Sequence, residues 1–389
     1  MHRMGKEDAI MSAVVHAVYE NTGPSVLRLT TDSQRAMTDA DKDRERGYKR
    51  VLRAIAELIA ETAVSAQQWA LLGSVVVGLD RCVSASNKSG DVIPSIELPL
   101  GVHAAITGEE ETAVRLAAAC ALVCFSIGLF DDLADGDRRL HWARHPVGEI
   151  NLAAATVLSA LPSLIVARLD IPPLRCLRMQ QILAKGLLRI SAGQQADLAL
   201  TGAREATVDQ VEAVVLGKTG ERFATYCKLA AEMAGAPSEA MALYEAFGRE
   251  IGIARQLISN CHELVFDPVC RDLVGGTRTL PIVAHINRLS GSDRSRFLDL
   301  LDRARTDRDA AALVRQELHA TGEISRVIFR TRLHYGRARA LIDRVGAHEA
   351  GRARLLRLAT PNSVGETGVS RAHAGNDFES RLDQRRPAA

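Results

Sequence analysis

The sequence predicts an all-α protein that folds as a single large helical bundle. Ala, Leu and Arg are abundant among the 389 residues, and all three are strong helix formers. Long stretches carry apolar residues at helical spacing. No stretch shows convincing alternation of apolar and polar residues between turn signals, which is the pattern of a strand. Aromatic residues make up only 4% of the chain, which also favours helices over sheets.

The helices are predicted from the spacing of apolar residues and from stop signals. Val51, Ile55, Leu58 and Ile59 fall on one face of a helix over residues 49–63. Further long helices are predicted at residues 109–134, 148–168, 173–200, 207–234, 237–265, 293–305, 309–320 and 323–344. The Gly235–Pro237 segment ends one helix and starts the next. The polar composition of residues 84–90 predicts a loop.

Composition also predicts the domain organisation. Residues 1–45 are polar and mixed in charge, and we interpret them as a partly disordered lead-in. Residues 46–358 form the helical domain. Residues 359–389 carry few apolar side chains, so this tail is predicted to be disordered because it cannot bury enough surface to order itself.

Charge and cysteine usage exclude several classes of partner. The net charge of +2 gives no reason to expect nucleic acid. The seven cysteines contain no C-x-x-C pair and no secretion signal is recognised, so reduced thiols in a cytoplasmic protein are predicted. Three apolar stretches, at residues 69–79, 116–130 and 152–166, are predicted to be buried helices. None supplies the roughly 20 uninterrupted apolar residues of a membrane span.

The strongest chemical signal is an acidic cluster that follows the almost entirely apolar segment 117–130. Asp131, Asp132 and Asp135 are spaced to emerge from one helix face, where like charges repel. They also lie near a helix C-terminus, which disfavours anions. A cation between them relieves both effects, and such hard oxygen ligands suit Mg²⁺. The alternative is a solvated helix end before Gly136, but the apolar segment places the cluster at the mouth of something buried.

Further signals follow in order along the chain. Residues 193–198 read G-Q-Q-A-D-L, residues 217–219 read G-K-T, and residues 272–281 read D-L-V-G-G-T-R-T-L-P. With the D-D-x-x-D pattern at residues 131–135, this order resembles the trans-isoprenyl diphosphate synthases, a family of class I isoprenoid synthases. The resemblance spans about residues 98–286 and is specific as an ordered set. It implies a helical bundle around a deep central cavity, with metal and a prenyl diphosphate substrate at its mouth.

Carried over position by position, the resemblance implies roles for individual residues. Mg²⁺ is expected at Asp131, Asp132 and Asp135, and Lys218 is expected to reach the substrate diphosphate. Gln194 and Gln256 are expected to face the cavity near the reacting carbons. The predicted catalytic residues are therefore Asp131, Asp132, Lys218 and Gln256.

Two further substrate contacts are expected from the same resemblance. Ser126 lies about one helical turn before Asp131 and is expected on the cavity wall. Arg278 adjoins Thr277, which stands where the family has a lysine. A homodimer is supported only by analogy with the family.

The sequence departs from the family at several places. The second acidic motif reads S-N-C-H-E at residues 259–263, so Asn260 and Glu263 are predicted as a weaker second metal site. A helix face that has lost its metal is an equal alternative. Residues 94–101 contain no cation where the family holds isopentenyl diphosphate. The basic segment after the first motif is not reproduced, although Arg138, Arg139 and Arg144 lie close by.

These departures lead to three functional hypotheses. Because the second diphosphate site is the more weakened one, the leading hypothesis is a Mg²⁺-dependent terpene synthase that ionises a C10–C20 prenyl diphosphate without adding an acceptor. The alternative is a prenyltransferase, a polyprenyl diphosphate synthase that condenses the allylic substrate with isopentenyl diphosphate or another acceptor. The third is a non-catalytic subunit of a prenyl synthase, which the broken second motif favours and the complete first motif opposes.

Overall fold

The computed structural model describes residues 39–89, 91–134, 136, 142–143, 145–267 and 269–360. Within these ranges the chain is helical and contains no strand, which confirms the predicted all-α class. The first helices are α1 (Asp39–Thr62), α2 (Ala66–Ser89), α3 (Pro94–Thr107), α4 (Val114–Ala134), α5 (Val147–Ala167) and α6 (Pro173–Leu200). A short 3₁₀ turn, Glu111–Ala113, precedes α4.

The second half of the bundle begins with a helix that changes pitch. Helix α7 (Val208–Val215) passes into a π-helical turn, Leu216–Gly220, and continues as α8 (Glu221–Met233). The remaining helices are α9 (Ser238–Phe266), α10 (Arg271–Gly275), α11 (Leu280–Ile286), α12 (Gly291–Ala304), α13 (Arg308–Ala320), α14 (Glu323–Arg344) and α15 (Glu349–Leu358). Gly235 has a φ of +76°, so the predicted stop between α8 and α9 is confirmed.

The predicted loop at residues 84–90 is wrong for the part that the structure describes. Helix α2 continues through it to Ser89. Val83 and Ser86 are buried, and the Ser86 hydroxyl donates to the Asp91 carbonyl at 2.6 Å. Packing of this last turn against the bundle therefore outweighs the weak helix propensity of its Ser and Asn residues.

Helix α4 lies inside the bundle. Its Ala118 and Leu122 belong to an apolar cluster with α1, α2 and α5. Its Cys120 and Val123 belong to a second cluster, built with α3, α8 and α9. A third cluster joins α9 to the C-terminal helices α11 to α14. Because α4 is enclosed on both of these sides, its polar C-terminal turn is held at a fixed place at the end of a rigid, apolar helix.

Three segments are long and apolar enough to cross a membrane by length and composition. They are Ala66–Asn87, Glu111–Ala134 and Val147–Ala167. The α4 segment is 78% buried within the bundle and the α5 segment 44%, so the latter lies nearer the outside. Each helix is longer than its predicted apolar stretch. The absence of a membrane span stays a prediction.

The predicted domain limits are only partly covered by the structure. Helix α1 begins at Asp39, inside the predicted lead-in, and its Tyr48 and Val51 are fully buried. The predicted disordered tail lies almost entirely outside the described residues, as does the lead-in before residue 39. These limits therefore stay predictions.

The start of α7 offers a test of local stability near the π-helical turn. Gln210 N donates to Thr207 Oγ1 at 3.3 Å, and Thr207 N donates to the Gln210 side chain at 2.9 Å. Thr207→Ala removes this capping box and is expected to lower the free energy of unfolding by about 1 kcal/mol in urea denaturation. Thr207→Ser keeps the hydroxyl and serves as control. Equal stability of the Ala and Ser variants would contradict the assignment.

Candidate active site

The C-terminal turn of α4 presents two carboxylates at the end of an otherwise buried helix. Asp131 and Asp132 are partly exposed, whereas Ile127 and Leu129 just before them are buried. The apolar part of the helix faces the core, so the change from buried to accessible falls at the predicted motif. Asp135, the third predicted ligand, lies outside the described residues.

Helix α6 brings a second polar face against Asp131. The Gln194 amide donates a hydrogen bond to the Asp131 carboxylate. Asp197 lies three residues later on the same helix face and points to the same place. Asp197 was not among the predicted site residues, although it belongs to the same G-Q-x-x-D sequence pattern, and that pattern is the signal that could have identified it.

Lys218 lies in the π-helical turn and joins the two carboxylates. Its Nζ is 2.8 Å from an Asp197 oxygen and 3.3 Å from an Asp131 oxygen. Burial lowers the pKa of Lys218, but the charges of Asp131 and Asp197 raise it more, so the net shift is upwards and the ammonium stays charged. Single π-helical turns within α-helices are frequently found at functional sites. The structure thus brings together Asp131, Gln194 and Lys218, all of which were predicted.

Two glycines allow this approach of α6 to the π-helical turn. A Cβ on Gly193 would lie 2.4 Å from the Gly217 carbonyl carbon and 2.5 Å from Lys218 N. A Cβ on Gly217 would lie 2.8 Å from Gly193 Cα. Because the two backbones touch without side chains between them, Lys218 starts close enough to α6 to reach Asp197.

Gln256 is held in place by the residue after Lys218. The Thr219 hydroxyl donates to Gln256 Oε1 at 2.6 Å, which leaves the amide NH₂ of Gln256 as its free hydrogen-bonding group among the described contacts. Thr219 itself is buried. Gly252 packs directly on the backbone of Thr219, so α9 lies against the π-helical turn. Gln256 is thus hydrogen-bonded to the residue that follows Lys218, and its expected position near the reacting carbons stays a prediction.

The two residues predicted as the second metal site are hydrogen-bonded to Asp272. Asn260 Nδ2 donates to Asp272 Oδ2 at 3.3 Å, and the Asp272 backbone N–H donates to Glu263 Oε1 at 2.6 Å. Burial, with the nearby Asp272 carboxylate, raises the pKa of Glu263 to about 8. This shift disfavours the charged carboxylate, which is the form that binds Mg²⁺. The role of Asn260 and Glu263 as metal ligands stays a prediction.

Two predicted substrate contacts have other roles in the fold. Ser126 is fully buried and its hydroxyl donates to the Ala154 carbonyl at 2.6 Å, so it joins α4 to α5. Arg278 is 5% exposed and donates to the carbonyl oxygens of Ala203 and Gly276. The expected contact of Ser126 with the cavity is not supported, because its polar atom is used between two helices. The described contacts of Arg278 lie apart from the Asp131 cluster.

The donor set at α4 suits a hard cation that also binds a ligand. Asp131 and Asp132 offer carboxylate oxygens, and Mg²⁺ usually takes one or two carboxylates together with phosphate oxygens and water. In the part of the chain that the structure describes, no group of three His, Cys, Asp or Glu side chains is placed to hold a metal alone. The site therefore fits a metal that is completed by a phosphate-bearing ligand, with Lys218 as an additional positive charge.

The all-helical bundle, the two carboxylates at the end of a buried helix and the nearby lysine agree with the class I isoprenoid synthases that the sequence resembles. Residues 98–318 match the family model described as polyprenyl synthetase. The match covers more than half of the chain, and the protein belongs to this family.

Known proteins with similar sequences or folds agree with this membership. The geranylgeranyl diphosphate synthase of Mycobacterium tuberculosis is 31% identical over 225 residues, which are 53% of this chain and 61% of that protein. The chain thus matches less than two thirds of that relative's length.

The fold itself is shared with solved structures of low identity. The Pyrococcus horikoshii geranylgeranyl pyrophosphate synthetase has a TM-score of 0.69 at 21% identity, covering 82% of this chain and 96% of that one. The Corynebacterium glutamicum geranylgeranyl pyrophosphate synthase, complexed with isoprenyl diphosphate and magnesium, has a TM-score of 0.69 at 19% identity. That comparison covers 83% of this chain and 98% of the other.

The close approach at Gly193 can be tested directly. Gly193→Ala forces a methyl group into the backbone at Gly217 and is expected to lower the free energy of unfolding by about 1–3 kcal/mol, as overpacked sites do. Gly336→Ala on α14 is the matched control, because a Cβ there meets nothing within 4 Å and the helix gains a better helix former. Urea denaturation of both variants measures the difference. A Gly193→Ala protein as stable as the Gly336→Ala protein would contradict the contact.

Proposed function

We propose that this protein is a Mg²⁺-dependent prenyltransferase that extends an allylic prenyl diphosphate with isopentenyl diphosphate. The observation that carries the proposal is the meeting of Asp131, Gln194, Asp197 and Lys218 at the end of α4. The polyprenyl synthetase match and the geranylgeranyl diphosphate synthase relative support chain elongation. They do not support the terpene synthase that we expected as the leading hypothesis, and they favour the prenyltransferase alternative.

In the proposed reaction an allylic carbon–oxygen bond breaks and diphosphate leaves. A new carbon–carbon bond forms to isopentenyl diphosphate, and the proton that the resulting carbocation loses passes to the departing diphosphate. Mg²⁺, when bound, would supply positive charge to stabilise the departing diphosphate. Asp131 and Asp132 are the described side chains that would hold it.

The chain's own residues supply orientation and charge. Lys218 remains an ammonium beside Asp131 and would contact the phosphate oxygens of the leaving group. Gln194 holds the Asp131 carboxylate in one orientation, and Thr219 does the same for the Gln256 amide. The apolar residues of α4 below the carboxylates exclude water from the allylic carbon.

The second diphosphate requires cations from elsewhere in the chain. Ser95, Ile96, Glu97 and Leu98 at the start of α3 are buried and offer no positive charge. Arg138, Arg139 and Arg144 lie outside the described residues. The proposal therefore depends on a cationic site that residues 94–98 do not supply. Cytoplasmic localisation and a homodimer remain part of the proposal, by analogy with the family.

The direct test supplies purified protein and Mg²⁺ with dimethylallyl, geranyl or farnesyl diphosphate, with and without isopentenyl diphosphate. A longer prenyl diphosphate that forms only with isopentenyl diphosphate is the expected product. A hydrocarbon or alcohol formed without it would restore the terpene synthase hypothesis. Absence of turnover, regained on mixing with an active prenyl synthase subunit, would support the non-catalytic subunit.

Lys218 provides the sharpest mutational test of the site. Lys218→Gln removes the charge between Asp131 and Asp197 and is expected to lower the rate of diphosphate release by about 100-fold, as the loss of one electrostatic stabiliser does. Lys228→Gln is the matched control on α8, because Lys228 pairs with Glu245 away from the carboxylates. Initial rates measured by phosphate detection give the comparison. Equal rates in the two variants would remove Lys218 from the mechanism.

A further inference from the structure

A strip of accessible surface runs down α4 beneath the carboxylates. Cys124, Gly128 and Asp131 are partly accessible and follow one another at helical spacing, whereas Phe125, Ser126 and Ile127 between them are buried. A Cβ built on Gly128 meets nothing within 4 Å. An open space therefore lies beside α4, directly below the proposed metal site.

The same strip ends at Cys124. The residues one and two turns deeper on that face, Ala117, Cys120 and Ala121, are all buried. Seven residues separate Asp131 from Cys124, which is a depth of about 10 Å along a helix. An extended isoprene unit spans about 4–5 Å from its bond lengths, so the strip has room for about two units.

Arg222 on α8 lies at the deep end of this strip. It follows Lys218 by four residues, so it lies on the same helix side, one turn further from the mouth. Its ionisable neighbours are Cys124, Tyr226 and Asp131. The guanidinium lies 5.4 Å from the centre of the Phe223 ring. The side chain lies deep in the protein yet keeps some accessible surface, as expected for a group that borders an internal space.

Among the described residues, the guanidinium of Arg222 has the Phe223 ring beside it but no polar partner. No hydrogen bond or ion pair joins it to any of the described residues, and its Nε is enclosed without an acceptor. The neighbouring Tyr226 hydroxyl is also enclosed and unpartnered. Other deep arginines of the bundle differ in this respect, because Arg278 and Arg354 both bond to carbonyl or carboxylate oxygens.

A charged group placed in this way opposes a long apolar ligand. The end of a prenyl chain offers no hydrogen-bond acceptor. A chain that contacts Arg222 therefore removes water from the guanidinium without replacing the lost hydrogen bonds. Stripping a charged group of its solvent is far more costly than burying apolar surface is favourable. A chain of about two units avoids this contact, whereas a chain of four units cannot.

We propose that Arg222 is a specificity-determining residue that closes the prenyl pocket at the level of Cys124 and limits the allylic ligand to short chains. The inference deepens the proposed function and rests on it for the identity of the ligand. In this proposal the residue that limits the length of the prenyl chain lies on α8. From the sequence, the cavity wall was expected at Ser126 on α4.

The test measures binding and needs no turnover. Geranyl, farnesyl and geranylgeranyl thiolodiphosphates, which resist ionisation, are titrated with Mg²⁺ into the full-length protein in a calorimeter. The wild type is expected to bind the geranyl compound at least about tenfold more tightly than the geranylgeranyl compound. Arg222→Ala is expected to bind the two within about threefold.

Two further variants test whether the charge of Arg222 causes the preference for the short compound. Arg222→Met keeps much of the side-chain length and removes the charge, so it is expected to gain part of the affinity for the long compound. It also replaces Ala should that variant fail to fold. Arg303→Met is the control, because Arg303 pairs with Asp307 on the surface of α12, and it is expected to leave the preference unchanged. An unchanged preference in both Arg222 variants overturns the inference, as does tight wild-type binding of the geranylgeranyl compound.

Product analysis separates this inference from the proposed function. Product lengths from the wild type and Arg222→Ala are compared with isopentenyl diphosphate present. Longer products in the variant support both statements. Products of unchanged length leave the elongation activity standing and reject the role of Arg222. A shifted binding preference without any elongation rejects the proposed activity and keeps the pocket limit.

Discussion

The site depends on the position of one ammonium group between two carboxylates from different helices. Lys218 lies between Asp131 of α4 and Asp197 of α6, and its ammonium group pairs with both carboxylates, at 3.3 and 2.8 Å. Without the ammonium group of Lys218, the two partly buried carboxylates would repel each other across the contact between α4 and α6. The contact between Gly193 and Gly217 is the steric condition for this arrangement, since any side chain there would separate α6 from the π-helical turn.

The same helices set the chemistry along the pocket. Close to the mouth, α4, α6 and the π-helical turn supply charges and amides that match a diphosphate and its metal. Below it, α4 becomes apolar, which suits a hydrocarbon chain and an unstable allylic cation. Arg222 interrupts that apolar wall at the level of Cys124. A single bundle thus divides its interior into a charged mouth, a short apolar pocket and a polar end.

Two segments of this chain depart from the motifs of the family: the second acidic motif on α9 and the start of α3. Asn260 and Glu263 are engaged with Asp272, and burial together with the Asp272 carboxylate raises the pKa of Glu263, which disfavours its charged form. The start of α3 is buried and lacks cations. Lys218, between α4 and α6, is a described cation placed to contact a diphosphate.

The sequence by itself determined the helical class and most helix limits, because spacing along one helix depends only on local geometry. It also predicted the carboxylates at the end of α4, whereas Gln194 and Lys218 were expected only from the family resemblance. It was wrong for the end of α2, it did not identify Asp197, and it did not foresee the hydrogen bond of Ser126 to α5. Only the tertiary structure decided those, and it alone placed Arg222 opposite Cys124. Helical periodicity defines which residues share a face, but which face meets another depends on contacts between residues that are far apart in the chain.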